Sequence, residues 1–84
     1  MNKGDKIQID VEAKTLAGGI VETLMEERKR QGFTQKEIAD ITGMKAPNIT
    51  RIESKKYTPT LDVLFRYAKA LGKEIRFELV DEDK

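Results

Sequence analysis

Cysteine and histidine are both missing from this sequence. Without a thiol there is no disulfide framework and no sulfur ligand for a metal. Without an imidazole, the commonest zinc ligand and the commonest general base are gone. Catalysis would rest on carboxylates and lysines, and neither a glycine-rich phosphate loop nor a paired acidic motif appears. The sequence thus argues against an enzyme and predicts no cofactor and no metal site. What it offers instead is concentrated positive charge. Lys45, Arg51, Lys55 and Lys56 fall within twelve residues, against Glu53 alone. The net charge is only +1 because Asp81, Glu82 and Asp83 offset them at the far end. Position therefore says more about partners than the sum does.

Something must hold those cations in place. From Ile20 the residues Ile20, Val21, Leu24 and Met25 share one face of a helix, which the spacing ends at Gly32. Thr34 and Glu37 form a capping-box pattern, with Phe33 and Ile38 able to close a hydrophobic staple. A second helix is expected over 35–42, stopped by Gly43. A third is expected from about Ala46 to Ser54, with Pro47 tolerated in its first turn. Thr58 and Pro59 suggest the cap and first position of a fourth helix. Its apolar stripe is Leu61, Leu64, Phe65, Ala68 and Leu71, and Gly72 ends it. Ile38, Met44, Ile49 and Ile52 are apolar where the second and third helices meet the others. Ala46, Pro47, Thr50 and Arg51 are expected to face away, and small apolar groups, a hydroxyl and a guanidinium suit base edges.

Two segments alternate with the period of a half-buried strand. They are Ile7, Ile9 and Val11 near the start, and Ile75, Phe77 and Leu79 near the end. Gly18 and Gly19 are expected to break the chain after the first. The domain division is 1–17, an N-terminal extension or short strand; 18–72, the helical domain; and 73–84, a C-terminal strand and acidic tail. A lone strand is unstable, so 74–80 is expected to pair with 6–12 or with its own copy across a two-fold axis. At 38% apolar and 37% charged the composition is that of an ordinary globular domain. Apolar runs are far too short to span a bilayer and no signal-peptide pattern opens the chain, so the cytoplasm is the expected compartment and no membrane partner is expected.

Thr34-Gln35-Lys36-Glu37-Ile38-Ala39, Gly43 and Asn48-Ile49-Thr50-Arg51-Ile52-Glu53 together resemble the phage repressor/Cro-type (XRE) family. Thr58-Pro59-Thr60-Leu61 with Ala68-Lys69-Ala70-Leu71-Gly72 is similar to that family's next helix, so the likeness covers about residues 20–72. The resemblance implies an all-α, lambda-repressor-like bundle of four to five helices that binds double-stranded operator DNA as a dimer on paired half-sites, expected to act as a repressor. It implies that Gln35 bonds a phosphate and braces the third helix, and that Arg51 reads a base. Ala46 and Pro47 stand where relatives are commonly polar, and can offer thymine methyls apolar contact. Lys45, Asn48, Lys55, Lys56 and the Tyr57 hydroxyl are expected on phosphates.

The ending from Gly72 to Leu79 bears a looser resemblance to HigA- and HipB-like antitoxins, which implies dimerisation through Ile75, Phe77 and Leu79 and an alternative role in silencing a partner toxin. Bland alternatives stand beside several of these roles. Arg51 can pair with Glu53 or Asp40, Asn48 can cap the third helix, and Lys55 and Lys56 can lie in a solvated loop. Tyr57 and Tyr67 are expected as packing residues with wet hydroxyls, and Arg28-Lys29-Arg30 as a solvated helix end. A small-molecule sensor is disfavoured by the chain's length.

Overall fold

The computed structural model describes residues 3–79 and residue 81, with side chains from Lys14 onward. Among the described residues four helices follow in order: α1 (Lys3–Gln31), α2 (Gln35–Thr42), α3 (Ala46–Glu53) and α4 (Leu61–Ala70). The fold is all-α, and no strand occurs among the described residues. Helix α3 packs on α2 and α1, and α4 packs on α2 and α1. The core between them consists of Val21 and Leu24 from α1, Ile38 and Ala39 from α2, Ile49 and Ile52 from α3, and Leu64, Tyr67 and Ala68 from α4, with Leu71 just beyond. Among the described residues no helix is long and apolar enough to cross a membrane.

The central helices begin and end where local chemistry requires. At the start of α2, the Glu37 amide donates to Thr34 Oγ1 at 3.0 Å, and the Thr34 amide donates to Glu37 Oε1 at 2.8 Å. Two of the amides that every helix start leaves orphaned are thereby satisfied. Phe33 packs against the core that holds Ile38. At its end Gly43 takes φ 77, ψ 9, a left-handed conformation in which a β-carbon costs roughly 1–2 kcal/mol. The Thr42 hydroxyl donates to Ile38 O (2.8 Å) and accepts from the Met44 amide (3.2 Å), which closes the turn. Residues 43–45 then deliver the chain to α3, with Pro47 in its first turn.

The chain ends differ from expectation. Helix α1 occupies the N-terminal segment read as an extension or short strand, and runs through Gly18 and Gly19 without a break. A helix satisfies its own amides and carbonyls, whereas a strand needs a partner. Residues 73–79 do not form the expected C-terminal strand either, since the helical N-terminal segment offers them no edge. Side chains hold this segment instead. Ile75 packs on the core, and the Phe77 ring lies 6.1 Å from that of Phe65. Part of the acidic tail, Glu82 and Asp83, lies outside the described residues.

Helix α4 starts two residues later than its Thr58-Pro59 signal suggests. Thr60 is the cap, its Oγ1 accepting from the Val63 amide, while Pro59 is buried in the preceding loop. The buried face of α4 is Leu64, Tyr67 and Ala68, continued by Leu71, and Leu61 and Phe65 are exposed. The rotation brings Tyr67 inward, where a polar partner receives its hydroxyl.

Candidate nucleic-acid interface

Ile49, Ile52 and Glu53 of α3 are buried. At about 100° per residue the opposite face must carry Pro47, Thr50 and Arg51, and all three are exposed, as is Asn48 on its flank. Ala46 departs from the expected outward set. It is half-buried and packs against the core, leaving only part of its surface open. Lys45 takes the N-cap position of α3 without a side-chain cap bond, so Asn48 is not the cap.

What fixes this face is a polar network that reaches from the core to the surface. The buried Glu53 carboxylate receives Arg28 Nε at 2.9 Å and Nη2 at 3.0 Å, Gln35 Nε2 at 2.9 Å, and the Tyr67 hydroxyl. Those donors come from α1, α2 and α4, so one residue of α3 ties the other three helices together. Arg28 Nη1 also donates to Phe33 O at 2.8 Å, holding the connection between α1 and α2. Because the carboxylate only accepts, the Gln35 amide must turn its Nε2 inward. Its Oε1 then accepts from the Thr50 hydroxyl at 2.7 Å on the exposed face. Gln35 thus braces α3, the internal half of the role its position implies.

Protonation states follow this geometry. Burial works to raise the Glu53 carboxyl, but hydrogen bonds from Arg28, Tyr67 and Gln35 outweigh it and hold the group below its ordinary range. Burial, and then the carboxylate it faces, push the Tyr67 hydroxyl upward. The buried Arg28 guanidinium is lowered by desolvation but raised further by Glu53, so it stays charged.

Arg28 and Tyr67 therefore differ from their sequence reading. Lys29 and Arg30 are exposed as expected, but Arg28 is buried, and the Tyr67 hydroxyl is dry and bonded. The signal was present in the spacing: Val21, Leu24 and Arg28 fall at i, i+3 and i+7 on one helix face. Glu53 likewise follows the buried Ile49 by four residues.

The remaining cations lie around the end of α3. Lys55 adopts φ 60, the one positive φ outside glycine among the described residues, and its Nζ pairs with Glu22 of α1 at 2.7 Å. That partner lowers the Glu22 carboxyl, first through its hydrogen bond. Lys56 is exposed. Tyr57 is half-buried and carries the Arg51 guanidinium over its ring, 4.3 Å from the centroid. Arg51 pairs with neither suggested carboxylate, since Glu53 points inward and Asp40 pairs with Lys36 at 3.3 Å. In the C-terminal segment Phe77 and Leu79 are exposed, while Ile75 packs on the core. Among the described residues no cluster of acidic side chains could hold a metal.

Two short helices joined by a three-residue turn, with one face locked inward and one presented to solvent, define a helix-turn-helix protein. The helix-turn-helix family model matches residues 24–77. The chain is 39% identical over 51 residues to an uncharacterized HTH-type transcriptional regulator of Methanothermobacter thermautotrophicus, covering 61% of this chain and 74% of that one. It is 29% identical over 66 residues to an uncharacterized HTH-type transcriptional regulator of Haemophilus influenzae, covering 79% and 67%. Among solved structures it is similar to a toxin-antitoxin module from Streptococcus pneumoniae, with TM-score 0.65 and 26% identity over 96% of this chain and 84% of that one. The chain belongs to the helix-turn-helix family of XRE-type transcriptional regulators, a non-enzymatic class.

Proposed function

We propose that this protein binds double-stranded DNA in the cytoplasm as a dimeric, sequence-specific repressor that occludes a promoter and reads the major groove with α3. The observation that carries the reading is the split character of that helix: one face is locked by Glu53, and the other offers Pro47, Thr50 and Arg51 to solvent. In the complex Arg51 takes the O6/N7 edge of a guanine, worth about 1–3 kcal/mol of discrimination. Pro47 and the open side of Ala46 meet thymine methyls, and Thr50 reads a neighbouring edge. Gln35, Lys45, Asn48, Lys56 and the Tyr57 hydroxyl contact phosphates, and Lys55 exchanges Glu22 for a phosphate. Phe77 and Leu79, with Ile75 beneath them, join two copies so that their α3 helices enter half-sites about 34 Å apart.

Selection from a random duplex library across a salt series tests this. The reading expects an enriched palindrome and affinity that falls steeply with salt. No enrichment at any salt would overturn it. Sedimentation equilibrium at micromolar concentration should give twice the 9.6 kDa chain mass, and a purely monomeric species would overturn the dimer.

A second reading is favoured by the toxin-antitoxin module among the solved structures, whose likeness extends over 96% of this chain. Here the protein neutralises a toxin and represses its own operon. An open apolar groove between α1 and the C-terminal segment, lined by Leu16, Ile20, Leu24 and Ile75, is the surface it would offer. Co-expression with the product of the adjacent reading frame decides it. Rescue of growth and co-purification support this reading, and the absence of both removes it.

A further inference from the structure

Arg51 stands out on the exposed face because its side chain already has a seat. Its guanidinium carbon lies 4.3 Å from the Tyr57 ring centroid, within the range of a cation–π contact. The ring is itself held. Tyr57 is half-buried and packs against the core, and the chain reaches it through an anchored turn. The Ser54 hydroxyl donates to Arg51 O at 2.6 Å, and the Lys56 amide donates to Ser54 Oγ at 3.3 Å. Lys55 supplies the left-handed residue and, in the DNA-free protein, is tied to α1 by Glu22. A left-handed non-glycine residue persists where the surroundings hold it.

A cation–π contact engages the guanidinium's charge without supplying a hydrogen-bond acceptor. The five N–H donors lie in the guanidinium plane, and among the described residues none of the Arg51 donors is taken by a carboxylate or a carbonyl. The two donors needed for a guanine O6/N7 edge are therefore committed to no protein acceptor while the ring holds the guanidinium. A free arginine would have to order a long, rotamer-rich side chain on binding. Here part of that ordering precedes the encounter.

We propose that Tyr57 is a positioning residue for Arg51 and sets how strongly the protein discriminates guanine from other bases at one position of its site. This rests on the reading of Arg51 as a base contact. The role is separate from any bond of the Tyr57 hydroxyl to a phosphate, because it uses the ring and acts on specificity rather than on affinity for every sequence.

The experiment compares wild type with Arg51→Ala, Tyr57→Leu and Tyr57→Phe on a selected duplex and on duplexes with the guanine pair replaced. The quantity read is the ratio of dissociation constants. Arg51→Ala identifies the position. Tyr57→Leu should lower the ratio there by about two- to fivefold, the size of an exposed cation–π contact, and leave the other positions unchanged. Tyr57→Phe should keep the ratio, whatever its hydroxyl gives to affinity. If Arg51→Ala relaxes one position and Tyr57→Leu does not, the positioning role is overturned while the base-reading role stands. If Arg51→Ala relaxes no position, both fall. A measurement on the DNA-free wild-type protein guards against loss of folding in a variant. Its Arg51 side-chain protons should resonate upfield through the Tyr57 ring current, and ordinary solvent-exposed arginine shifts would overturn the cation–π contact.

Discussion

Replacing Glu53 with glutamine should destabilise this protein more than almost any other isosteric change. The carboxylate accepts two bonds from Arg28, one from Gln35 and one from Tyr67. An amide keeps one acceptor oxygen and turns an NH2 group against donors, leaving the Arg28 guanidinium buried without its counter-charge. Breaking a buried pair on one side costs about 3–5 kcal/mol, whereas an exposed pair is worth about 0–1 kcal/mol. The side chains of Arg28 and Glu53 are 11% and 4% exposed, so the larger figure applies. A chain of this length has total stability of about 4–13 kcal/mol. Urea unfolding followed by far-ultraviolet circular dichroism is the assay. With a slope of about 1–3 kcal/mol per molar, the midpoint should fall by at least about 1 M. A loss below about 1 kcal/mol, the size of an exposed pair, would mean that Arg28 and Glu53 do not form a buried ion pair. The pH dependence has the same origin. The Glu53 carboxyl lies lower in the folded chain than its ordinary value of 4.5, so its contribution is present above that value and lost as pH falls through the depressed one. Glu27 is also held down, to about 2, by hydrogen bonds from Arg30 and Gln31, but it is more open to salt. In high salt the acid transition should therefore be clearly smaller in Glu53→Gln than in wild type.

Gly18 lies inside α1 with nothing within 4 Å of where a β-carbon would sit. Gly18→Ala should therefore raise stability by up to about 1 kcal/mol, seen as a higher thermal midpoint. Gly43→Ala should do the reverse by roughly 1 kcal/mol or more, since φ there is 77; an unchanged urea midpoint would argue against that geometry. Lys56→Ala should weaken binding to all duplexes alike and reduce the slope of log affinity against log salt by about 1. A loss confined to one sequence would remove Lys56 from the phosphate contacts.

The parts of the fold legible in the sequence are those governed by local chemistry. The bounds of α2 follow from Thr34, Glu37 and Gly43, whose roles depend on neighbours a few residues away. Its partner α3 follows from Pro47 and the spacing of Ile49 and Ile52. What failed depended on distant partners. Ile7, Ile9 and Val11 alternate like a strand, but alternation does not say what would pair with it, and without a partner the helix wins. Ile75, Phe77 and Leu79 alternate in the same way, and with no strand beside them their segment is neither strand nor helix. Arg28 was hidden by its type: within Arg28-Lys29-Arg30 charge suggests solvent, while its register with Val21 and Leu24 places it inside. The outward face was legible at Pro47, Thr50 and Arg51 because they oppose Ile49 and Ile52. The seat of Arg51 on Tyr57 was not, because it requires the left-handed turn at Lys55.

The claim that the exposed face of α3 meets DNA is tested most directly by titrating isotope-labelled protein with a selected duplex and following backbone amide resonances. The largest changes are expected at Gln35 and across residues 45–57, with little change along the groove lined by Leu16, Ile20 and Leu24. Changes concentrated in that groove, or none at residues 45–57 when the duplex is saturating, would contradict it.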